Sequence, residues 1–200
     1  MEPLKFKLFD LYDTSGIEIK DLGLKSVINI QPKLILKSYG RNVGKFGQVK
    51  VNVVERLMNR VGVAGHRGKK HKIELGHATG KYSKNMKIVL EAFKIIEKKT
   101  GKNPVEVLVK AVENSAPRDE ITVIEYGGAR HPQAVDVSPL RRVNLAIRWL
   151  VHGASDKAFG KKKNISEGLA DEIILASESN GDSFAYRKKN EAEKQADSAR

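Results

Sequence analysis

Residues 121–137, ITVIEYGGARHPQAVDV, decide the fold class of this 200-residue chain because they interrupt a sequence that otherwise predicts helices. The first six residues are rich in β-branched and aromatic side chains, which favour strands. Gly127-Gly128 begins a glycine-rich turn that continues through Ala129–Pro132, and a second strand-like run, Gln133–Val137, follows it. An isolated hairpin is only marginally stable in water. The sequence therefore predicts a projecting β-hairpin, over about residues 120–137, that a helical body supports.

The sequence on either side of this stretch predicts helices. Asn103-Pro104 and Ser138-Pro139 each place a capping residue directly before a proline, a combination that begins many helices. Apolar residues recur at helical spacing after both starts. Four further helices are predicted from the same kind of spacing, over about residues 51–61, 82–100, 166–179 and 183–199. The last has only a line of alanines as its apolar face, so we expect it to be weakly held and to become ordered on a partner.

The first 50 residues lack this helical periodicity. Two short segments suggest strands, Gly16–Lys20 and Ser26–Ile30. Glycines among basic residues then predict a mobile basic connector near residues 40–50. We therefore predict a mainly α fold, with a single helical domain of about six helices and a protruding β-hairpin over residues 51–200. An irregular N-terminal arm, residues 1–50, precedes this domain.

The positive charge is concentrated in one part of the chain. The formal net charge is +13, and residues 33–87 hold +12 of it with fourteen basic and two acidic residues. A solvated surface would not concentrate like charges in this way, and the valines of this segment argue against a disordered basic tail. The pattern predicts contact with a polyanion, and it favours nucleic acid over an anionic membrane.

Several other classes of function find no support in the residues. The chain has no cysteine, which excludes disulfides, thiolate metal sites and thiol catalysis. No apolar run approaches the roughly 20 residues that span a bilayer, and the first six residues lack the apolar core of a signal peptide. Gly68-Lys69 and Gly80-Lys81 both lack the spacing of a nucleotide-binding P-loop. We therefore expect a cytoplasmic protein with no cofactor and no membrane contact.

Metal binding and acid/base catalysis are also not predicted. His66, His71 and His77 are candidate metal ligands, but lysines and arginines surround them and no two are one helical turn apart. No paired carboxylates and no nucleophile motif indicate a catalytic site. Aromatic residues make up only 6% of the chain, so phosphate contact is expected to matter more than base stacking.

Basic residues outside the apolar stripes are the candidate nucleic-acid contacts. Arg141 and Arg148 lie two helical turns apart on one face, a spacing that can bracket a ridge of phosphates. His131, at the tip of the hairpin, can contact or stack on a base. The candidates that the residues themselves suggest are Arg41, Arg56, Arg67, Lys69, Lys70, His131, Arg141, Arg142, Arg148, Lys161, Lys162, Lys163, Arg187 and Lys188.

Seven short stretches in the second half of the chain carry a family resemblance: Glu106–Lys110, Asn114–Arg118, Tyr126–Gly128, Ala134–Val143, Leu169–Ile173, Tyr186–Lys189 and Ser198–Arg200. With them, about three quarters of the chain resembles the universal small-subunit ribosomal protein seven family in its archaeal and eukaryotic form. Gly80-Lys81-Tyr82 fits the spacing of the family's early motif, although Tyr82 stands at a position that is basic in the family. On this alignment the segment 63–75 is an insertion.

The resemblance implies a helical domain that binds the 3′ major domain of small-subunit rRNA and nucleates assembly of the subunit head. It also implies a hairpin that reaches toward the exit-site tRNA and the mRNA, and contacts with neighbouring small-subunit ribosomal proteins. By position it supports the arginines of residues 141–148, and it adds Lys45, Lys50, Lys81, Arg118 and Arg130 to the candidates. The function that we predict is that of a structural, ribosome-bound rRNA-binding protein and not of an enzyme.

Two alternatives stay open at this point. An RNA-processing or RNA-modifying enzyme would use the same basic surface, but it would need an acid/base pair or a cofactor loop. A DNA-compacting protein would bind duplex DNA as readily as RNA.

Overall fold

A computed structural model describes residues 6–67, 72–73 and 80–200 of the chain. Within these residues it has seven helices: α1 (Leu22–Lys25), α2 (Val53–Val61), α3 (Tyr82–Thr100), α4 (Pro104–Ser115), α5 (Pro139–Ala158), α6 (Ile165–Ser177) and α7 (Phe184–Asp197). It also has two antiparallel strand pairs, β1 (His66–Arg67) with β2 (Lys72–Ile73) and β3 (Asp119–Tyr126) with β4 (Ala129–Asp136). The predicted mainly helical fold with a hairpin is confirmed, and the six predicted helices are α2 to α7.

The predicted hairpin is present as β3–β4, but its turn is only Gly127-Gly128, because β4 already begins at Ala129 and not at Gln133. Gly127 and Gly128 have φ values of +59° and +79°, and positive φ at both positions is what a type I′ turn requires. Counting outward from this turn, the Val123–Pro132 pair is a non-hydrogen-bonded pair of the ladder, so the missing N–H of proline costs nothing there. Val123 and Tyr126 are exposed. The distal half of the hairpin therefore stands away from the helical body.

The long helix α3 lies at the centre of the helical body. Val89, Ala92, Phe93 and Ile96 are completely buried, and α2, α4 and α6 all pack against this helix. Its bounds, Tyr82–Thr100, agree with the prediction. The start of α4 is also as predicted, because the Asn103 side chain accepts a hydrogen bond from the N–H of Val105 at 3.0 Å.

The two strands predicted in the N-terminal arm are wrong. The described residues of the arm contain the short helix α1, the 3₁₀ turn Gly47–Lys50 and isolated bridges, but no strand. Leu24, Val27 and Ile28 are buried in the common core. Their i, i+3, i+4 spacing directs them to one side of a helical turn, and burial there outweighs the weak strand preference of so short a segment.

The last helix is held by the chain itself, contrary to the expectation that a partner orders it. Ala185 and Ala196 are completely buried, and α7 packs against α5 and β3. The carboxylate of Glu193 accepts the N–H of Arg118 at 3.0 Å, and Arg200 forms an ion pair of 2.6 Å with Asp119. The prediction failed because small alanines pack closely wherever a matching surface exists, and a helix's own sequence does not reveal that surface.

Lys69 and Lys70 lie outside the described residues, as do the other residues of 68–71 and 74–75 in the predicted insertion 63–75. No described helix combines the length and the apolar character needed to cross a bilayer.

Candidate nucleic-acid interface

Helices α2 and α5 together form a face that carries three arginines. Arg56 and Arg60 are one turn apart on α2, and Arg148 lies on α5. The three side chains line a cavity of about 330 Å³, and its other lining residues are uncharged: Gln48, Val51, Asn59, Val63, Asn144 and Ile147. We call these three arginines and their cavity the arginine face.

Two guanidinium groups of the arginine face, those of Arg56 and Arg60, are partly withdrawn from water, and no carboxylate lines their cavity. Burial lowers the pKa of Arg56 to about 10. Burial, and secondly the charge of Arg148, lower the pKa of Arg60. Among the residues that the structure describes, Arg60 and Arg148 take part in no ion pair. An anion would relieve this repulsion, and guanidinium geometry matches phosphate oxygens.

A buried histidine holds Arg60 in place. The Nε2 atom of His152, on α5, lies 3.1 Å from an Nη atom of Arg60. The pKa of His152 is lowered to about 4, first by burial and then by the charges of Arg67, Arg60 and Arg148. The ring is therefore neutral near pH 7, and its Nε2 can accept the hydrogen bond that arginine donates. His152 orients a cation without neutralising it.

Arg56 of the arginine face and the nearby candidate Arg67 have internal partners. Arg56 is buried and donates to the Val27 carbonyl at 3.2 Å and to the Asn144 side chain at 2.9 Å. Arg67 donates to both carboxylate oxygens of Asp156, at 2.6 and 3.3 Å. Arg56 contributes charge to the arginine face while it ties the arm to α5. Arg67 is largely neutralised by its partner.

At the start of α5 the structure gives Arg141 and Arg142 internal partners as well. Arg141 donates two hydrogen bonds to Glu120, at 2.6 and 2.7 Å, and this carboxylate raises the pKa of Arg141. Arg142 is buried and reaches the Pro117 carbonyl at 3.1 Å and Asp21 at 2.7 Å. Burial alone would raise the pKa of Asp21, but hydrogen bonding and charge from Arg142 outweigh it and lower the pKa.

This placement argues against direct phosphate contact by Arg142. Its guanidinium joins the arm, the base of the hairpin and α5, and little of it faces solvent. Arg141 is half-exposed and could still meet RNA beside its ion pair. Arg118, between α4 and the hairpin, has an exposed side chain.

The remaining candidates are spread over the surface. Exposed members lie on the arm (Arg41, Lys45, Lys50), before α3 (Lys81), on the hairpin (Arg130, His131), after α5 (Lys161, Lys162) and on α7 (Arg187). The carboxylate of Glu125 lies 3.9 Å from Arg130, and that of Glu191 lies 2.7 Å from Lys188. The structure brings Arg56 and Arg148 together, but it does not gather the other candidates at one point. Their contact with RNA stays a prediction.

Lys161 and Lys163 line a second cavity, of about 690 Å³, bounded by α3, α4 and α6. Lys163 and Lys99 both contact the carboxylate of Asp171, and Glu106 and Glu178 also line this cavity. Because charges of both signs alternate here, the cavity suits a phosphate less well than the arginine face does.

Among the described residues no cluster of histidines and carboxylates could hold a metal ion. Of the three histidines considered as ligands, His71 and His77 lie outside the described residues.

Sequence reasoning missed Arg60, Tyr39 and Phe46. Arg60 could have been found, because it stands four residues after Arg56 and so shares its side of α2. Tyr39 and Phe46 are 62% and 67% exposed, which composition does not reveal. Both have positive φ, +51° and +59°, and Lys37 and Lys45 lie 4.7 and 5.5 Å from the respective ring centroids.

Comparison with known proteins gives a consistent result. Residues 25–200 match the family model described as ribosomal protein S7p/S5e. The chain is 49% identical to the small ribosomal subunit protein uS7 of Nanoarchaeum equitans over 98% of this chain and 100% of that protein. It is 45% identical to the protein of the same name from Cenarchaeum symbiosum, over 96% of each chain. The protein of that name from Methanosphaera stadtmanae is 42% identical, over 98% of this chain and 100% of its own length.

Proposed function

Because the chain belongs to the ribosomal protein S7p/S5e family, we propose that it binds the 3′ major domain of small-subunit rRNA and nucleates assembly of the subunit head. As a member of this family it is a structural protein of the small subunit, on cytoplasmic ribosomes, and not an enzyme. Its partners are small-subunit rRNA and other ribosomal proteins. The alternatives of an RNA-modifying enzyme and of a DNA-compacting protein are therefore not retained.

The arginine face is the observation that carries the proposed binding mode. It combines three guanidinium groups with uncharged neighbours, and His152 orients one of them as a neutral acceptor. The segment 22–54 beside it contains six basic residues and no acidic one. A folded RNA presents phosphates at close intervals. These phosphates would neutralise the positive charge more completely than solvation by water does.

We propose further that the hairpin reaches toward the exit-site tRNA and the mRNA. In the register of β3 and β4, Ile124 pairs with His131 and Tyr126 pairs with Ala129, so these side chains share one face. Tyr126 is 82% exposed. An exposed aromatic ring and an imidazole are suited to the unstacked bases of single-stranded RNA.

A salt titration of rRNA binding tests the proposed interface. The logarithm of the affinity for a transcript of the 3′ major domain should fall linearly with the logarithm of salt concentration. Replacing Arg60 and Arg148 together by alanine should weaken binding and reduce the magnitude of the slope by about 2, because two phosphate contacts are lost. Filter binding over a range of potassium chloride concentrations measures both quantities.

Lys94→Ala with Lys98→Ala is the matched control, since it removes two exposed charges one helical turn apart on α3. This control should leave the slope near the wild-type value. An unchanged slope in the Arg60/Arg148 variant, or an equal decrease in the control, would show that the arginine face is not the RNA site. Circular dichroism verifies that both variants fold.

A further inference from the structure

We propose that Phe46 and the pocket beside it bind one unpaired RNA base by stacking, next to the phosphates held by the arginine face. This Phe46 pocket has a volume of about 350 Å³, which is at the lower end of the range of small-ligand sites. It is lined by the turn of residues 42–48 and by Leu140 of α5. The inference rests on the proposed RNA binding, but it does not depend on which rRNA domain is bound.

The walls of the Phe46 pocket combine apolar and polar groups and are open to solvent. Phe46 is 67% exposed, and the neighbouring Val43 is 85% exposed. Asn42 and Gln48 contribute amide groups at the rim. An exposed ring with amides beside it offers a base both a flat surface and hydrogen-bonding groups.

The backbone holds Phe46 in this outward position at a conformational cost. Phe46 has φ +59° and ψ 7°, a left-handed conformation that bulky residues seldom adopt. The next residue must be glycine, because a Cβ atom on Gly47 would lie 2.3 Å from the carbonyl oxygen of Asn42. The turn is fixed to α5 where Asn144 donates to the side chain of Gln48 at 3.0 Å. Such a conformation persists when its surroundings enforce it, and it is frequent at binding sites.

Gln48 connects the Phe46 pocket to the arginine face, since its side chain lines both cavities. A nucleotide whose base enters the Phe46 pocket therefore has its phosphates close to Arg148 and Arg60. The ammonium group of Lys45 lies 5.5 Å from the centre of the Phe46 ring. With no acidic residue between positions 22 and 54, the surroundings favour an RNA strand over a protein partner.

Substitutions of Phe46 test this proposal in two binding assays. The first ligand is a mixed-sequence RNA heptanucleotide without self-complementarity, and the second is a blunt RNA duplex long enough to stay double-stranded. Phe46→Leu keeps an apolar side chain and removes the ring, so it should weaken single-strand binding about tenfold. Phe46→Tyr keeps the ring and should bind as the wild type does. Duplex affinity should be the same for all three proteins.

Both variants keep a side chain at the left-handed position, so backbone strain is common to all three proteins. Phe159→Leu is the control, because Phe159 is also an exposed aromatic residue. It directly follows the end of α5, whereas Leu140 of the Phe46 pocket lies at the start of this helix. Its single-strand affinity should stay unchanged. The proposal would be overturned if Phe46→Leu bound the single strand as tightly as the wild type does. It would also be overturned if this variant lost as much affinity for the duplex as for the single strand.

The two proposals fail in different ways. If the Arg60/Arg148 variant binds the rRNA transcript as the wild type does, the proposed interface itself is wrong. If that variant is weakened while Phe46→Leu binds the heptanucleotide normally, only the stacking site is wrong.

Discussion

Helix α5 carries arginines at two places, and these arginines differ in their interaction partners. At its start, Arg141 and Arg142 meet the carboxylates of Glu120 and Asp21 at 2.6 and 2.7 Å. Two turns later, Arg148 and Arg60 line one cavity, and no acidic residue lines this cavity. The first pair joins elements of the fold, whereas the second is the site that we propose for an anion.

The difference teaches that residue type and spacing do not decide whether an arginine binds RNA. Arg141 and Arg148 occupy the same side of one helix. Glu120 and Asp21, which decide the outcome, come from the base of the hairpin and from the arm. A charge that is already paired gains little from a phosphate, while an unpaired and partly buried one gains much.

The largest effect on stability is expected at Arg142. Arg142→Met keeps the apolar stem but leaves Asp21 and the Pro117 carbonyl without their partner, so unfolding free energy should fall by about 3 kcal/mol. The salt slope of rRNA binding should not change. Urea unfolding and filter binding measure the two quantities.

Arg141→Met is the control for this prediction, because its ion pair is half-exposed and should contribute less than about 1 kcal/mol. The proposed difference between the two ends of α5 would be contradicted if Arg142→Met lowered the unfolding free energy as little as Arg141→Met does. A smaller salt slope of rRNA binding by Arg142→Met would contradict it as well.

A pH-dependent effect of similar or smaller size is expected at His152. Its pKa is lowered from 6.5 to about 4 in the folded protein, so the unfolded chain binds more protons between these two values. Stability should therefore fall as the pH decreases from about 6.5 to 4, by up to about 3 kcal/mol, and this contribution should be constant above pH 6.5.

His152→Gln removes the titrating group and should flatten that part of the profile, as urea unfolding at several pH values can show. His131→Gln changes a histidine on the exposed hairpin and should keep the wild-type profile. If the His152→Gln variant still loses stability as the pH decreases from about 6.5 to 4, another group is responsible for that loss.

The smallest effect on stability is expected at the tip of the hairpin. Removing Glu125, Tyr126, Ala129 and Arg130 preserves the register, because the turn is then flanked by Ile124 and His131, which form a hydrogen-bonded pair of the same ladder. Unfolding free energy should change by less than about 0.5 kcal/mol, since these residues are exposed. Subunits reconstituted with this variant should lose crosslinks to mRNA and exit-site tRNA. Retained crosslinks would contradict the proposed role of the hairpin, and a loss of helical circular dichroism would show that the tip supports the core.

The sequence by itself determined the elements that depend on local chemistry. The starts of α4 and α5 at their prolines, the cap at Asn103 and the apolar period of α3 appear as predicted, because capping and periodicity are properties of neighbouring residues. The block of positive charge likewise predicted a polyanionic partner, and family membership agrees with this.

Only the tertiary structure decided which charges are free. Asp21 and Arg142 are 121 residues apart in sequence, and Arg60 and His152 are 92 apart. The same holds for α7, which packs against the hairpin and α5 and buries Ala185 and Ala196. Charge pairing and close packing depend on groups that meet only after folding, so a periodic pattern can identify a helix but cannot identify what its side chains will touch.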